Sequence, residues 1–293
     1  MNQTNSKEKN MIEMHQVNFS YTEKPFIKNI DFVVKKGEIF GFLGPSGAGK
    51  STLQKILTGL LPTYEGSAVV AGVECKKHDN TYYEKIGVDF EFPSVYEKLT
   101  ARENLNYFSS LYSGEKRDIN ELLRQVGLEH HGDKRISEYS KGMKSRLNFI
   151  KALVHDPELL FLDEPTSGLD PNNARIMKDM ILEEKAKGKT IILTTHNMAD
   201  ATELCDRVAF IVNGEIKALD TPHNLIMAHG AAKVCYTYAD EDGREKQGES
   251  HLSEISKDEV LKEKMEKNQI TSIHSSEPTL DDIFMELTGY KLC

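Results

Sequence analysis

At 293 residues the chain has room for one large or two modest domains, each with a filled core. A formal net charge of −9 and a pI near 5.6 argue against a nucleic-acid binder, which would carry a basic face. No apolar stretch reaches the ~18 residues of a membrane-spanning helix, so the chain is expected to be soluble, with any membrane role exercised through a partner.

Residues 1–10 carry charge with no apolar run behind it and read as a disordered tail, not a secretory signal. Met11–Tyr21 and Ile27–Val34 have the β-branched and aromatic content, broken by polar residues, of half-buried strands. Glu38–Leu43 is a short apolar strand that runs into glycines, and STLQKILTGLL after Lys50 has the spacing of a buried helix. From Thr81 to about Asp156 helices dominate. Thr100-Ala-Arg-Glu103 is a capping box opening a helix through Tyr112, Ile119–Val126 is a helix stopped by Gly127, and Lys144–Val154 is a third. Alternation then returns: strand Leu159–Leu162, helix Asn172–Lys187, strand Thr190–Thr194, helix Met198–Cys205 and strand Val208–Val212. Strands separated by helices of this length predict a parallel sheet with right-handed crossovers. Beyond about Thr221 come strands Val234–Tyr238 and Ile270–His274, a helix near Lys257–Lys267, and a helix capped by Thr279-Leu-Asp-Asp282 that ends at Gly289. Cys75, Cys205, Cys235 and Cys293 form no Cys-x-x-Cys pair and read as reduced cytosolic thiols without a metal.

The chemistry starts at Gly44-Pro45-Ser46-Gly47-Ala48-Gly49-Lys50-Ser51, a gapless G-x-x-x-x-G-K-[ST] between a strand and a helix. Its glycines let backbone N–H groups turn toward phosphate oxygens, and the helix N-terminus adds about half a positive charge. Lys50 is expected on the β- and γ-phosphates and the Ser51 hydroxyl on Mg²⁺. This loop does not by itself separate kinases, GTPases and motors. Leu159–Leu162 then delivers Asp163, a carboxylate for the metal, and Glu164, one residue on and differently aimed, which can act as general base toward water.

Taken in order, these residues resemble the nucleotide-binding domain of an ATP-binding-cassette (ABC) transporter, from about Met11 to Asp220. Gly44–Thr52 is similar to the Walker A loop and Leu159–Glu164 to the Walker B strand. Ser140-Lys141-Gly142-Met143 is similar to the signature, Ser167-Gly168-Leu169-Asp170 to the D-loop, and His196 after Thr194-Thr195 to the switch histidine. Tyr21 matches the aromatic that stacks on adenine. The resemblance implies that Ser140 and Gly142 bind the γ-phosphate of ATP held by an opposite subunit, and that His196 senses the γ-phosphate in its own. It also implies that Tyr21, the 44–52 loop, Ser140, Gly142 and Asp170 share two composite sites in a head-to-tail dimer with itself or a paralogue.

Two positions depart from that pattern. Lys141 replaces the first glycine of the signature and is expected to point to solvent, the alternative being added charge toward the phosphate. At the position where the family places a glutamine the chain has Glu91, a hard oxygen donor for Mg²⁺; the added negative charge beside a triphosphate predicts reduced or altered metal and nucleotide affinity without loss of function. Phe92–Leu99, with its aromatics, is then the expected face toward a membrane partner, with packing inside the helical subdomain the equal alternative for at least half of its side chains. The end, Glu277-Pro-Thr-Leu-Asp-Asp-Ile-Phe284 with Leu287-Thr-Gly289, resembles ATPase subunits of type-2 ABC exporters.

The expected fold is an α/β P-loop NTPase cassette over 11–220, with a mixed or parallel sheet, a helical subdomain at about 93–156 and a small α+β appendage over 221–293. The expected function is ATP hydrolysis driving a bacterial exporter of drugs, antibiotics or other small molecules. The implied ligands are ATP and Mg²⁺. The implied partners are an integral membrane permease and a second ATPase subunit, on the cytoplasmic face of the membrane, with no nucleic acid. The rivals are a soluble ABC-type switch in regulation or assembly, and a P-loop kinase.

Overall fold

The computed structural model describes residues 10–91, 94–229, 233–240, 243–276 and 278–289. Of the expected tail only Asn10 falls among them, and it opens the first strand. Phe92, Pro93, Glu277 and Cys293 lie outside the described residues. Contacts divide the chain into two units, Met1–Leu219 and Asp220–Cys293.

In the first unit, β1 (Asn10–Phe19) pairs antiparallel with β2 (Ile27–Lys35), Met14 opposite Phe32 and Val17 opposite Ile30. Strand β3 (Ile39–Leu43) is buried along its whole length, as a central strand covered on both faces must be. Helix α1 (Lys50–Leu57) follows it, and β4 (Glu65–Val70) with β5 (Val73–Glu74) completes a four-stranded sheet, order β2-β1-β4-β5. After α2 (Asn80–Tyr83) and β6 (Ile86–Asp89) come three helices that pack on one another, α3 (Ala101–Ser110), α4 (Ile119–Gln125) and α5 (Lys141–Lys151). Strand β7 (Leu159–Asp163), α6 (Pro171–Ala186), β8 (Thr190–Thr195), α7 (Met198–Leu204), β9 (Arg207–Val212) and β10 (Glu215–Asp220) close the unit. The second sheet has the order β10-β9-β3-β8-β7-β6, and β9, β3, β8, β7 and β6 run parallel.

The aromatic seam Phe32–Phe40–Phe42 joins the two sheets, with ring centres 5.3 to 5.5 Å apart. Edge-to-face and offset ring pairs of this kind add to plain area burial. The register of the parallel strands places the site: Leu43 stands beside Thr195, and Asp163 beside Thr194. The chain therefore leaves β3, β7 and β8 at one edge of the sheet, where ligands of open α/β sheets bind.

Helix α5 starts three residues before the expected Lys144. Ser140 Oγ accepts the Met143 N–H at 3.2 Å, so the signature residues Lys141–Met143 are themselves its first turn. The Thr100–Glu103 capping box is formed as expected.

The second unit contains α8 (Pro222–His229), β11 (Lys233–Ala239), β12 (Glu245–His251), α9 (Glu259–Glu266), β13 (Ile270–Ser276) and α10 (Leu280–Thr288). Its sheet is antiparallel, order β12-β11-β13. Helix α10 buries Leu280, Ile283 and Phe284 and packs beside α8. A Thr279–Asp282 capping box starts it and Gly289 at φ 70° ends it.

Candidate active site

The loop after β3 folds around its own lysine. Lys50, 8% exposed, donates at 2.6 Å to the Gly44 carbonyl and at 3.2 Å to that of Pro45. Gly44 (φ 156°), Gly47 (φ 77°) and Gly49 (φ 115°) make the turn. At Gly44 the limit is also steric, since a Cβ would lie 2.1 Å from the Ile211 carbonyl oxygen of β9. The turn between β9 and β10 braces the loop from behind: Gly214 N–H donates to the Ala48 carbonyl at 3.0 Å, and Lys28 N–H donates to Gly214 O at 2.9 Å.

One cleft is lined by Ser46 to Thr52 and by Glu91, Asp163, Glu164 and His196. Three carboxylates thus stand around one ammonium. Burial lowers the Lys50 pKa, and Glu164, Asp163 and Glu91, in that order, pull it back up. Such a cleft is short of positive charge for a triphosphate, and a hard divalent cation restores the balance. Among the described residues no cluster of three His, Cys, Asp or Glu holds a metal unaided. Mg²⁺ takes one or two carboxylates and completes its shell with phosphate oxygens and water. Ser51, Asp163 and Glu91 fit that set.

At the end of β7, Thr194 Oγ1 donates to Asp163 and fixes its rotamer. Glu164 has a left-handed backbone (φ 51°), held by its N–H donating to Thr194 O at 3.0 Å. A continuing strand would send the Glu164 side chain to the face opposite Asp163; the left-handed turn ends that alternation, and both carboxylates line the one cleft. His196 Nδ1 lies 2.9 Å from Glu164 Oε2. The base candidate is thus oriented by the histidine expected to sense phosphate. Tyr21, 56% exposed, shares a 3.0 Å hydroxyl–hydroxyl hydrogen bond with Thr52. Phe26, which the sequence reading did not single out, lines the cleft and meets Tyr21 edge-on, ring centres 5.5 Å apart. Its only sequence signal was an aromatic at the start of β2.

Ser140, Gly142 and Asp170 lie outside that cleft. Gly142 is pressed on the Asn173 side chain, where a Cβ would meet Cγ at 2.7 Å. Asp170 caps α6, accepting from the N–H groups of Asn172 and Asn173 at 3.2 and 3.1 Å and from Asn173 Nδ2 at 2.5 Å. Lys141 does not simply point to solvent. Although exposed, its ammonium lies over Gly168, where a Cβ would stand 2.1 Å from Nζ. It also joins Glu91, Asp163, Glu164 and Ser167 in lining a second, smaller cavity beside the first. Signature turn and D-loop are therefore one packed surface within a chain.

The chain is similar to known proteins in sequence and in fold. The ABC transporter family profile matches residues 27–167. A fluoroquinolones export ATP-binding protein of Mycobacterium tuberculosis (strain ATCC 25618 / H37Rv) is 48% identical over 284 residues, 96% of this chain and 94% of the relative. The Nod factor export ATP-binding protein I of Rhizobium meliloti (strain 1021) is 35% identical over 297 residues, 96% of this chain and 89% of that protein. A solved ATP-binding subunit of an ABC transporter superposes with a TM-score of 0.69 at 31% identity, covering 74% of this chain and 92% of that one.

Proposed function

The chain belongs to the ABC transporter family, and from that premise we propose that it hydrolyses Mg·ATP to drive export of drug-like or other small molecules through a separate membrane permease. Mg·ATP supplies the triphosphate, its leaving group and the charge that the three carboxylates call for. The loop N–H groups and Lys50 hold the phosphates, Lys50 exchanging the Gly44 and Pro45 carbonyls for phosphate oxygens. Ser51, Asp163 and Glu91 would hold the metal. Glu164 takes the proton of a water, and His196 keeps that carboxylate aimed. Tyr21 and Phe26 offer aromatic surface to adenine.

The carrying observation is a partition. Lys50, Glu91, Asp163, Glu164 and His196 share one cleft, while Ser140 and Gly142 stand outside it on the N-terminus of α5. A complete site then needs a second subunit, whose signature turn closes on this chain's cleft as this one closes on its partner's. No helix among the described residues is long and apolar enough to cross a membrane, so transport requires the permease, and the working place is the cytoplasmic face of the membrane. The 48% relative spans both units and bears an export name, which favours an exporter over a soluble switch.

The test is co-expression with adjacent membrane-protein genes and purification in detergent. We expect a stable complex whose ATPase responds to a hydrophobic drug and whose proteoliposomes accumulate it on addition of ATP. Full ATPase activity with no membrane subunit bound would overturn the reading in favour of the switch.

A further inference from the structure

Helix α5 carries the signature turn at its start and, two turns on, grips the chain on both sides of Glu91. Asn148 Nδ2 donates to the Asp89 carboxylate and, at 3.2 Å, to the Phe90 carbonyl, immediately before Glu91. Lys151 Nζ donates to the Ser94 carbonyl at 3.1 Å and to Ser94 Oγ at 2.7 Å, just beyond it. Asn148 is 1% exposed, Asp89 5% and Lys151 8%. The Lys151 ammonium also stands 5.1 Å from the centre of the Phe108 ring, so its stem and head are both packed.

Stability does not account for this set. Asn148 Oδ1 is buried without a hydrogen bond, which is unfavourable. Burying a carboxyl and an ammonium adds desolvation, and apolar residues of similar size often do as well or better. What the grip delivers is an anchor at Asp89 and Phe90 directly before Glu91 and another at Ser94, and the Glu91 side chain lines both the Lys50 cleft and the cavity that Lys141 borders.

We propose that Asn148 and Lys151 are positioning residues for Glu91, holding it in the nucleotide cleft and tying it to the signature turn through one rigid helix. The inference rests on the reading of Glu91 as a metal ligand. Its consequence is a link between sites: the 11 residues of α5 span about 16 Å, so a phosphate engaging Ser140 and Gly142 from a partner's site bears on Glu91 of this chain's own.

The test compares wild type, E91Q, K151M and E91Q/K151M as full chains, titrating Mg²⁺ in the ATPase assay and following amide hydrogen exchange in peptides covering Ile86–Glu91. Methionine keeps the packing on Phe108 and removes the donors. E91Q and K151M should each raise half-saturating Mg²⁺, K151M by about tenfold, as loss of a partner behind a metal ligand does. The double variant should match E91Q alone, K151R should stay near wild type, and K151M should speed exchange in 86–91 while thermal unfolding shows a folded chain. Additive effects of the two substitutions, or a silent K151M beside an effective E91Q, would overturn the proposal. A silent E91Q would refute the metal role of Glu91 instead; exchange in K151M then decides the grip, which fails if exchange is unchanged.

Discussion

The end of β7 and the start of α5 both offer polar side chains to phosphate, yet they are built differently. Around Asp163 and Glu164 the support is convergent: Thr194 fixes one carboxylate, a left-handed backbone and His196 aim the other, and Lys50 stands opposite. At Ser140 and Gly142 the support is simpler: Asn173 packs on a buried Gly142, and Ser140, exposed, caps the helix that follows it. The first region is a finished half-site. The second gains a function only when something of complementary charge is brought to it, and it is held rigid beforehand so that little ordering entropy is lost on contact.

The strongest way to break this contrast is E164Q. Losing the base should lower phosphate release by about 10²–10⁴-fold while nucleotide still binds, and light scattering should show a dimer that persists with ATP. Brisk turnover in E164Q would mean that the finished half-site lies elsewhere.

A smaller effect is expected from G142A. The new methyl would press on Asn173 and displace the turn, and misplacement on the ångström scale can cost up to about 10²-fold in turnover. Affinity of the isolated chain for a fluorescent nucleotide should not change, because the turn is outside its own cleft. If that affinity falls in step with turnover, the two regions serve one site and the contrast collapses.

The third substitution, D89N, lies between the two regions. Burial pushes the Asp89 carboxyl up to about 7, against the pull of Lys151 and the Asn148 hydrogen bond and with Asp163 adding to the rise. The unfolded chain ionises this group at its ordinary value, so the folded state holds the proton longer as pH rises. Its contribution to stability is therefore full at acid pH and declines between about pH 4 and pH 7. D89N should flatten that decline and raise the melting temperature at pH 8 by a few degrees relative to wild type, as seen by calorimetry. An unchanged pH profile would mean that Asp89 is ionised and paired in the folded state.

Much of the cleft was legible in the sequence because its residues are contiguous or lie at strand ends: the 44–52 loop, Asp163-Glu164 and His196 each follow an apolar run. Phe26 was not, since an aromatic at the start of a strand has the same appearance whether it meets a core or a ligand. Strands β4, β5, β10 and β12 and helix α8 also escaped notice. Strand β12, Glu-Lys-Gln-Gly-Glu-Ser-His, has no apolar alternation at all; it exists because β11 offers it a ladder, a tertiary cause with no local trace. Lys141 over Gly168 and Asp170 as a helix cap were hidden for a related reason. The motif names what a residue faces when a partner is present, whereas packing within the chain decides what it touches otherwise.

The Asn213-Gly214 turn has a bearing on selectivity. One residue, Gly214, donates its N–H to Ala48 of the phosphate loop and accepts at its carbonyl from Lys28 at the start of β2, two residues from Phe26. On the proposed reading of the cleft, the separation between its aromatic surface and its phosphate loop is a built-in gauge, held by these two hydrogen bonds. A ligand that fills one end but is a phosphate too short or too long would have to stretch two backbone hydrogen bonds to satisfy both.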